Sequence, residues 1–206
     1  MTYRVLDLSA YQGTIDFARV KKAGIWGVML KATEGTRYLS PAFHKNYTQA
    51  IQNGLHVGAY HFLRAGTPSQ SLEEASFFLH NVQGLQLDLP LVLDLEAPEQ
   101  RSIDDLTDIA AAFCRTLEQQ QYYAMLYSFV SWFKTKLSSP ALDRYDRWIA
   151  HVGVKQPDYA KPYGIWQFTW DSKVDGISGK VDENICYKDY PKIIRQAGLN
   201  HLAPVK

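Results

Sequence analysis

Cysteine is scarce. Cys114 and Cys186 are the only two in 206 residues. They form no C-x-x-C pair, which excludes a thioredoxin-type redox motif and a zinc ribbon. Cys114 falls inside a helical pattern, where a free, buried thiol is expected. Histidines are few as well: His44, His56, His61, His80, His151 and His201 show neither H-x-x-x-H nor H-E-x-x-H spacing. No metal site and no cofactor are therefore expected. Charge of one sign is missing too, since 22 Lys and Arg balance 21 Asp and Glu to a net +1. With no basic run, there is no field to gather nucleic acid or an acidic membrane surface. No apolar stretch approaches the ~18 residues of a membrane span. The opening "MTYRVLDLS" enters a strand pattern at once, without the charged and apolar regions of a leader, so no signal peptide is visible. No linker, low-complexity tract or composition break appears. A single domain over 1–206, acting as a monomer, is the simplest reading. The tail "LNHLAPVK" fits either a chain end or the start of a linker.

What is present points to strand–helix units. Hydrophobic residues make up 46% of the chain and aromatics 13%, enough for a sizeable core. Gly24, Gly54 and Gly84 each follow a helical stretch: "IDFARVKKAG", "PAFHKNYTQAIQNG" and "SLEEASFFLHNVQG". Glycine just past a helix is the usual stop. Strand-like runs follow: "IWGVMLKA", "LHVGAYHF" and, after a short detour, "LVLDLE". This 30-residue spacing of glycines implies parallel strands joined by crossover helices. The series continues with a helix "IDDLTDIAAAFCRTLEQQ" and a strand "YYAMLYS". Three short strands then lie in "RWIAH", "GIWQFTW" and "GISGKVDEN", and "YPKIIRQAG" closes as a helix. About eight strands result, and a parallel sheet of eight closes most naturally as an α/β barrel of TIM-like kind. An open doubly wound sheet is the alternative, but no G-x-G-x-x-G follows any strand.

In such a barrel the site sits at the C-terminal ends of the strands. Asp7 ends the first, Lys31 the second, Tyr60 the third, and Asp94 with Glu96 the fourth. Tyr127 ends the fifth, Trp166 and Gln167 lie on the seventh, and Asp182 is expected to end the eighth. Asp94 and Glu96 are two apart and so share a face of the strand. A lone D-x-E is common in proteins, and each tyrosine could be a core residue with a satisfied hydroxyl. The weight comes from several acids falling at separate strand ends. Acids with aromatics suit a carbohydrate, and glycoside hydrolysis needs two carboxyl groups whose protonation differs.

Together the segments "DLSAYQGTID", "LKATEG", "VGAYHF", "LVLDLE", "LYS", "WIA", "WQFT" and "GISGKVDEN" resemble, in this order, the glycoside hydrolase family 25 lysozymes. These are the Chalaropsis-type N-acetylmuramidases of phage endolysins and bacterial autolysins. The resemblance implies an irregular eight-stranded barrel with about five main helices. It also implies cleavage of the β-1,4 bond between N-acetylmuramic acid and N-acetylglucosamine in peptidoglycan glycan strands, the expected partner at the bacterial cell wall. It casts Glu96 as general acid, Asp94 as its assistant, Asp7 and Asp182 as the rest of an acidic cluster, and Tyr60, Tyr127, Gln167, Lys31 and Trp166 as substrate contacts. Two departures stand out: Phe168 replaces a usual tyrosine, and His151 follows "WIA" where an aromatic is usual a little further on. A chitinase-like hydrolase is the nearest alternative, but Leu89 and Val92 replace two acids of the D-x-x-D-x-D-x-E pattern of those enzymes. A non-catalytic wall-binding module is the other.

Overall fold

The computed structural model describes residues 1–203; the last three residues of the tail, 204–206, lie outside the described residues. The chain begins with strand β1 (Tyr3–Leu8) and helix α1 (Phe17–Lys22), then β2 (Gly27–Glu34) and the two-residue strand β3 (Tyr38–Leu39). Helix α2 (Phe43–Gln52), β4 (His56–Phe62), α3 (Pro68–Val82), β5 (Leu91–Asp94), α4 (Thr107–Gln119) and β6 (Ala124–Phe129) follow. The helix α5 (Val130–Thr135), β7 (Asp146–Ala150), β8 (Ile165–Ser172), β9 (Val181–Cys186) and α6 (Tyr190–Gln196) complete it. Gly24, Gly54 and Gly84 do stop α1, α2 and α3, at φ of 84°, 69° and 80°, values that side chains resist.

Eight strands run in the order β1-β9-β8-β7-β6-β5-β4-β2, and β1 pairs with β2 to close the barrel. The small β3 pairs antiparallel with β2 outside that ring. The sheet is not all parallel as expected. β9 runs antiparallel to both neighbours, β1 and β8. The reason is chain length. Only residues 173–180 separate β8 from β9, whereas a parallel return needs a crossover of about a dozen residues or more.

Alternation within the strands divides the core in two. Leu6, Leu30, Val57, Leu93 and Leu126 face outward and pack with Phe43, Phe78 and Phe113 of the helices. Val5, Met29, Val92, Met125, Trp148 and Ile165 face inward, and Tyr190 and Ile194 of α6 join them. Gly58 also faces inward. A Cβ there would lie 2.6 Å from Met29 Cε and 2.8 Å from the Pro90 carbonyl oxygen. Above this apolar filling, the Trp148 indole N–H donates to Asn184 Oδ1 at 2.8 Å, and Asn184 Nδ2 donates to the Val5 carbonyl at 3.0 Å. These bonds fix a tryptophan in the barrel axis and tie β7, β9 and β1 together.

Candidate active site

The acids rise from this filled barrel. Asp7 is two residues beyond inward-facing Val5, and Asp94 two beyond Val92, so both continue the inner face. Asp182 stands directly opposite Asp7 in the β1–β9 pair. It does not end its strand, as expected, but is the second residue of β9. Because β9 runs against the others, its beginning lies on the rim where they end. Glu96 follows β5, and together the four acids line a hollow of about 380 Å³. Lys31, Tyr60, Tyr127 and Gln167 line the same hollow.

Hydrogen bonds order one side of it. Tyr127 Oη donates to Gln167 Oε1 at 2.8 Å, and Gln167 Nε2 donates to Asp182 Oδ2 at 3.2 Å. The Tyr60 hydroxyl lies beside Asp7 and works against the rise that burial imposes on that acid. Trp148 packs edge-on beneath both tyrosines, its ring 4.7 Å from Tyr127 and 6.4 Å from Tyr60. The tyrosines are thus held from below by the Asn184–Trp148 pair. On the other side Lys31 Nζ meets Glu34 Oε2 at 2.5 Å and lies over the Phe62 ring at 4.6 Å. Arg64 lies over Phe62 as well, at 4.7 Å, and bonds Glu34 and Glu99.

Burial dominates the electrostatics. It pushes Asp7 and Asp94 well above the usual carboxylate range. The charge of Asp182 adds to the rise at Asp7, and that of Glu96 to the rise at Asp94. Burial and Asp182 also raise Glu96, against the pull of Lys31. Asp182 is raised by burial to about 6. Asp94 is almost wholly buried, and its Oδ1 has no hydrogen-bond partner. Leaving a buried carboxylate oxygen unpartnered is costly, so Asp94 carries an unmet acceptor beside the hollow it helps to line. The site therefore holds its protons more tightly than exposed carboxylates would, and offers an acceptor.

Trp166 does not join this group. It neighbours inward-facing Gln167 and so points outward into the outer core, where its indole N–H donates to the His151 carbonyl at 2.9 Å. Sequence reasoning also missed four aromatics that line the hollow: Tyr11, Phe62, Phe129 and Trp170. Phe62 and Phe129 lie two residues past Tyr60 and Tyr127, so strand alternation could have found them. Tyr11 sits in a 3-10 turn held by a capping box between Ser9 and Gln12, and it is 88% exposed. Trp170 is hidden from a sequence reading because the register of β8 against β9 shifts on both sides of Thr169. His61 is structural: it is buried between Thr33 Oγ1 at 2.7 Å and Glu74 Oε2 at 2.8 Å.

Both cysteines are free and buried. Among the described residues no three His, Cys, Asp or Glu side chains are grouped to hold a metal ion, and no helix is long and apolar enough to cross a membrane. A larger hollow of about 840 Å³ lies by α1 and the β8–β9 connection, but its acids are engaged. Asp16 caps α1 through the Arg19 N–H, and Asp175 pairs with the Arg19 side chain.

The profile of the family described as "Glycosyl hydrolases family 25" matches residues 6–177. The chain belongs to that family. It is a glycoside hydrolase by descent. It is 33% identical over 177 residues to the autolytic lysozyme of Clostridium acetobutylicum, covering 86% of this chain and 53% of that protein. The chain thus spans about half the length of that relative. The CTP1L endolysin superposes with a TM-score of 0.85 at 31% identity, over 94% of this chain and 69% of the endolysin. The bacterial lysozyme of Streptomyces coelicolor superposes at 0.81 with 29% identity, over 95% and 96% of the two chains. In this family 25 hydrolase, Asp182 lies beyond the matched segment and reaches the site through the β1–β9 pairing.

Proposed function

We propose that this family 25 hydrolase is a muramidase. It cuts the β-1,4 bond between N-acetylmuramic acid and N-acetylglucosamine in peptidoglycan glycan strands, and its place of action is the bacterial wall. The observation that carries this reading is the four acids on one barrel rim, all raised by burial and three of them, Asp7, Asp94 and Glu96, also by a neighbouring acid's charge. Relatives named lysozyme support it. Residues 3 to 186 work as one catalytic unit, since the barrel closes only when the first strand meets both β2 and the last strand.

Asp94 and Glu96 titrate as a pair, and such a pair gives up its last proton late. Glu96 is the more accessible of the two. It donates its proton to the glycosidic oxygen as the bond to the anomeric carbon breaks, the role of the acid in glycoside hydrolysis. Asp94 keeps its place beneath and accepts the substrate's acetamido N–H with its orphaned oxygen. That contact turns the acetamido oxygen toward the anomeric carbon, which it attacks as the leaving sugar departs; water then opens the oxazolinium ring at that carbon and gives a proton back to Glu96. Asp7 and Asp182 hold the pair's protons in place by their charge, and Lys31 limits the repulsion.

Side-by-side digestion of purified peptidoglycan and chitin oligosaccharides tests the substrate. New reducing ends should form on peptidoglycan and not on chitin. Faster cleavage of chitin would transfer the site to a chitinase-like role. The anomer of the first product, read by NMR, tests the second step. A retained anomer is expected, and an inverted one would replace the acetamido attack by direct attack of water.

A further inference from the structure

We propose that the cleft continues past Trp170 into a second hollow, and that this hollow binds a further sugar ring of the same glycan strand. The inference rests on the muramidase reading and extends it to substrate length. The second hollow, of about 380 Å³, shares Phe129 and Trp170 with the acid-lined one, so the two lie side by side. Trp170 forms the wall between them and is 57% exposed. A regular strand would place it on the outer face with Trp166 and Phe168. The two register shifts in β8 swing it to the rim instead, which is the effect a bulge has on the side chains beside it.

The chemistry of the hollow fits a neutral saccharide. Trp170 offers an aromatic face to the C–H face of a sugar ring. Ala150, small and buried at the end of β7, leaves room for an acetamido methyl group. His151 Nδ1 lies 3.2 Å from the Asp158 backbone N–H and accepts from it. That bond assigns the ring proton to Nε2, which is then a donor for a hydroxyl or an amide oxygen. Among the described residues the one cation in the wall, Lys134, is already paired with Asp158 at 2.7 Å. The hollow therefore has no spare charge for the carboxylates of a peptide stem, and its occupant is the glycan itself.

Calorimetry on the Glu96→Gln variant, which separates binding from cleavage, decides the matter. The ligands are glycan oligosaccharides of four, six and eight sugars prepared from bacterial walls, each with and without its peptide stems. Affinity should rise with length. Adding Trp170→Ala should cost the octasaccharide about tenfold more affinity than the tetrasaccharide, the scale of one lost aromatic face. Trp170→Phe should restore most of it. Ser131→Trp, at an exposed position on the hollow's edge, should fill the space and remove the gain with length in the same way. Equal losses at all lengths would overturn the inference, as would a length-dependent loss seen only with peptide-bearing strands, which would make the stem the occupant. Failure of the muramidase reading would show separately, as wild-type enzyme that leaves the muramyl bond intact.

Discussion

Glu96→Gln keeps the shape of the side chain and removes the proton that the proposed mechanism has it donate. Activity on walls should fall at least ~100-fold, the lower range of general-acid contributions, with thermal stability little changed. Lysis near the wild-type rate would refute the assignment. Asp94 makes a different prediction, about stability. Its folded pKa is raised by burial, while in the unfolded chain an aspartate titrates near ~4. Between those values the native state holds a proton that the unfolded state has released, so stability is full below the unfolded value and falls as the pH rises. Asp94→Asn removes that penalty. Its Tm should exceed wild type at pH 7, and the gain should shrink toward pH 4, while activity is lost. An equal loss of Tm at both pH values would show instead that the carboxylate is a structural acceptor. The acids were legible in the sequence because strand alternation alone places Asp7 and Asp94 on an inner face. The tryptophan at the rim was not: alternation excludes Trp166 once Gln167 faces inward, but only the bulged register of β8 brings Trp170 forward.

At the scale of elements, the glycine spacing gave a readable signal because each glycine marks a stop directly, and α2 and α3 are long enough to show their period as well. β3 and α5 have two and six residues, too few to show one. The reversal of β9 was readable in principle from the short link before it, had that link been weighed against the length a crossover needs. Its consequence for the site is large, because it brings the start of the strand, with Asp182, to the rim. Packing inside the barrel makes a further prediction at Gly58. An added Cβ would crowd Met29 and the Pro90 carbonyl, and overpacking of this kind costs about 1–3 kcal/mol. Gly58→Ala should lower the unfolding free energy, read from chemical denaturation, by that amount. Met29→Ala in the same chain should recover part of it, leaving the share due to the rigid carbonyl. Unchanged stability in Gly58→Ala would mean that the inner layer is looser than these distances imply.

At the scale of the whole molecule, the barrel is a device for bringing residues 7 and 182 side by side over an apolar floor. The near-zero net charge means that no long-range field selects the substrate, so recognition falls to the hollow, its acids and its aromatics. The central claim is that this rim cuts a muramyl bond, and identifying the sugar at the new reducing end tests it most directly. Purified walls digested with the wild-type protein are reduced with borohydride, and the released fragments are sequenced by mass spectrometry. The account predicts that the reduced terminal sugar is muramitol. A reduced glucosamine at that end would contradict it.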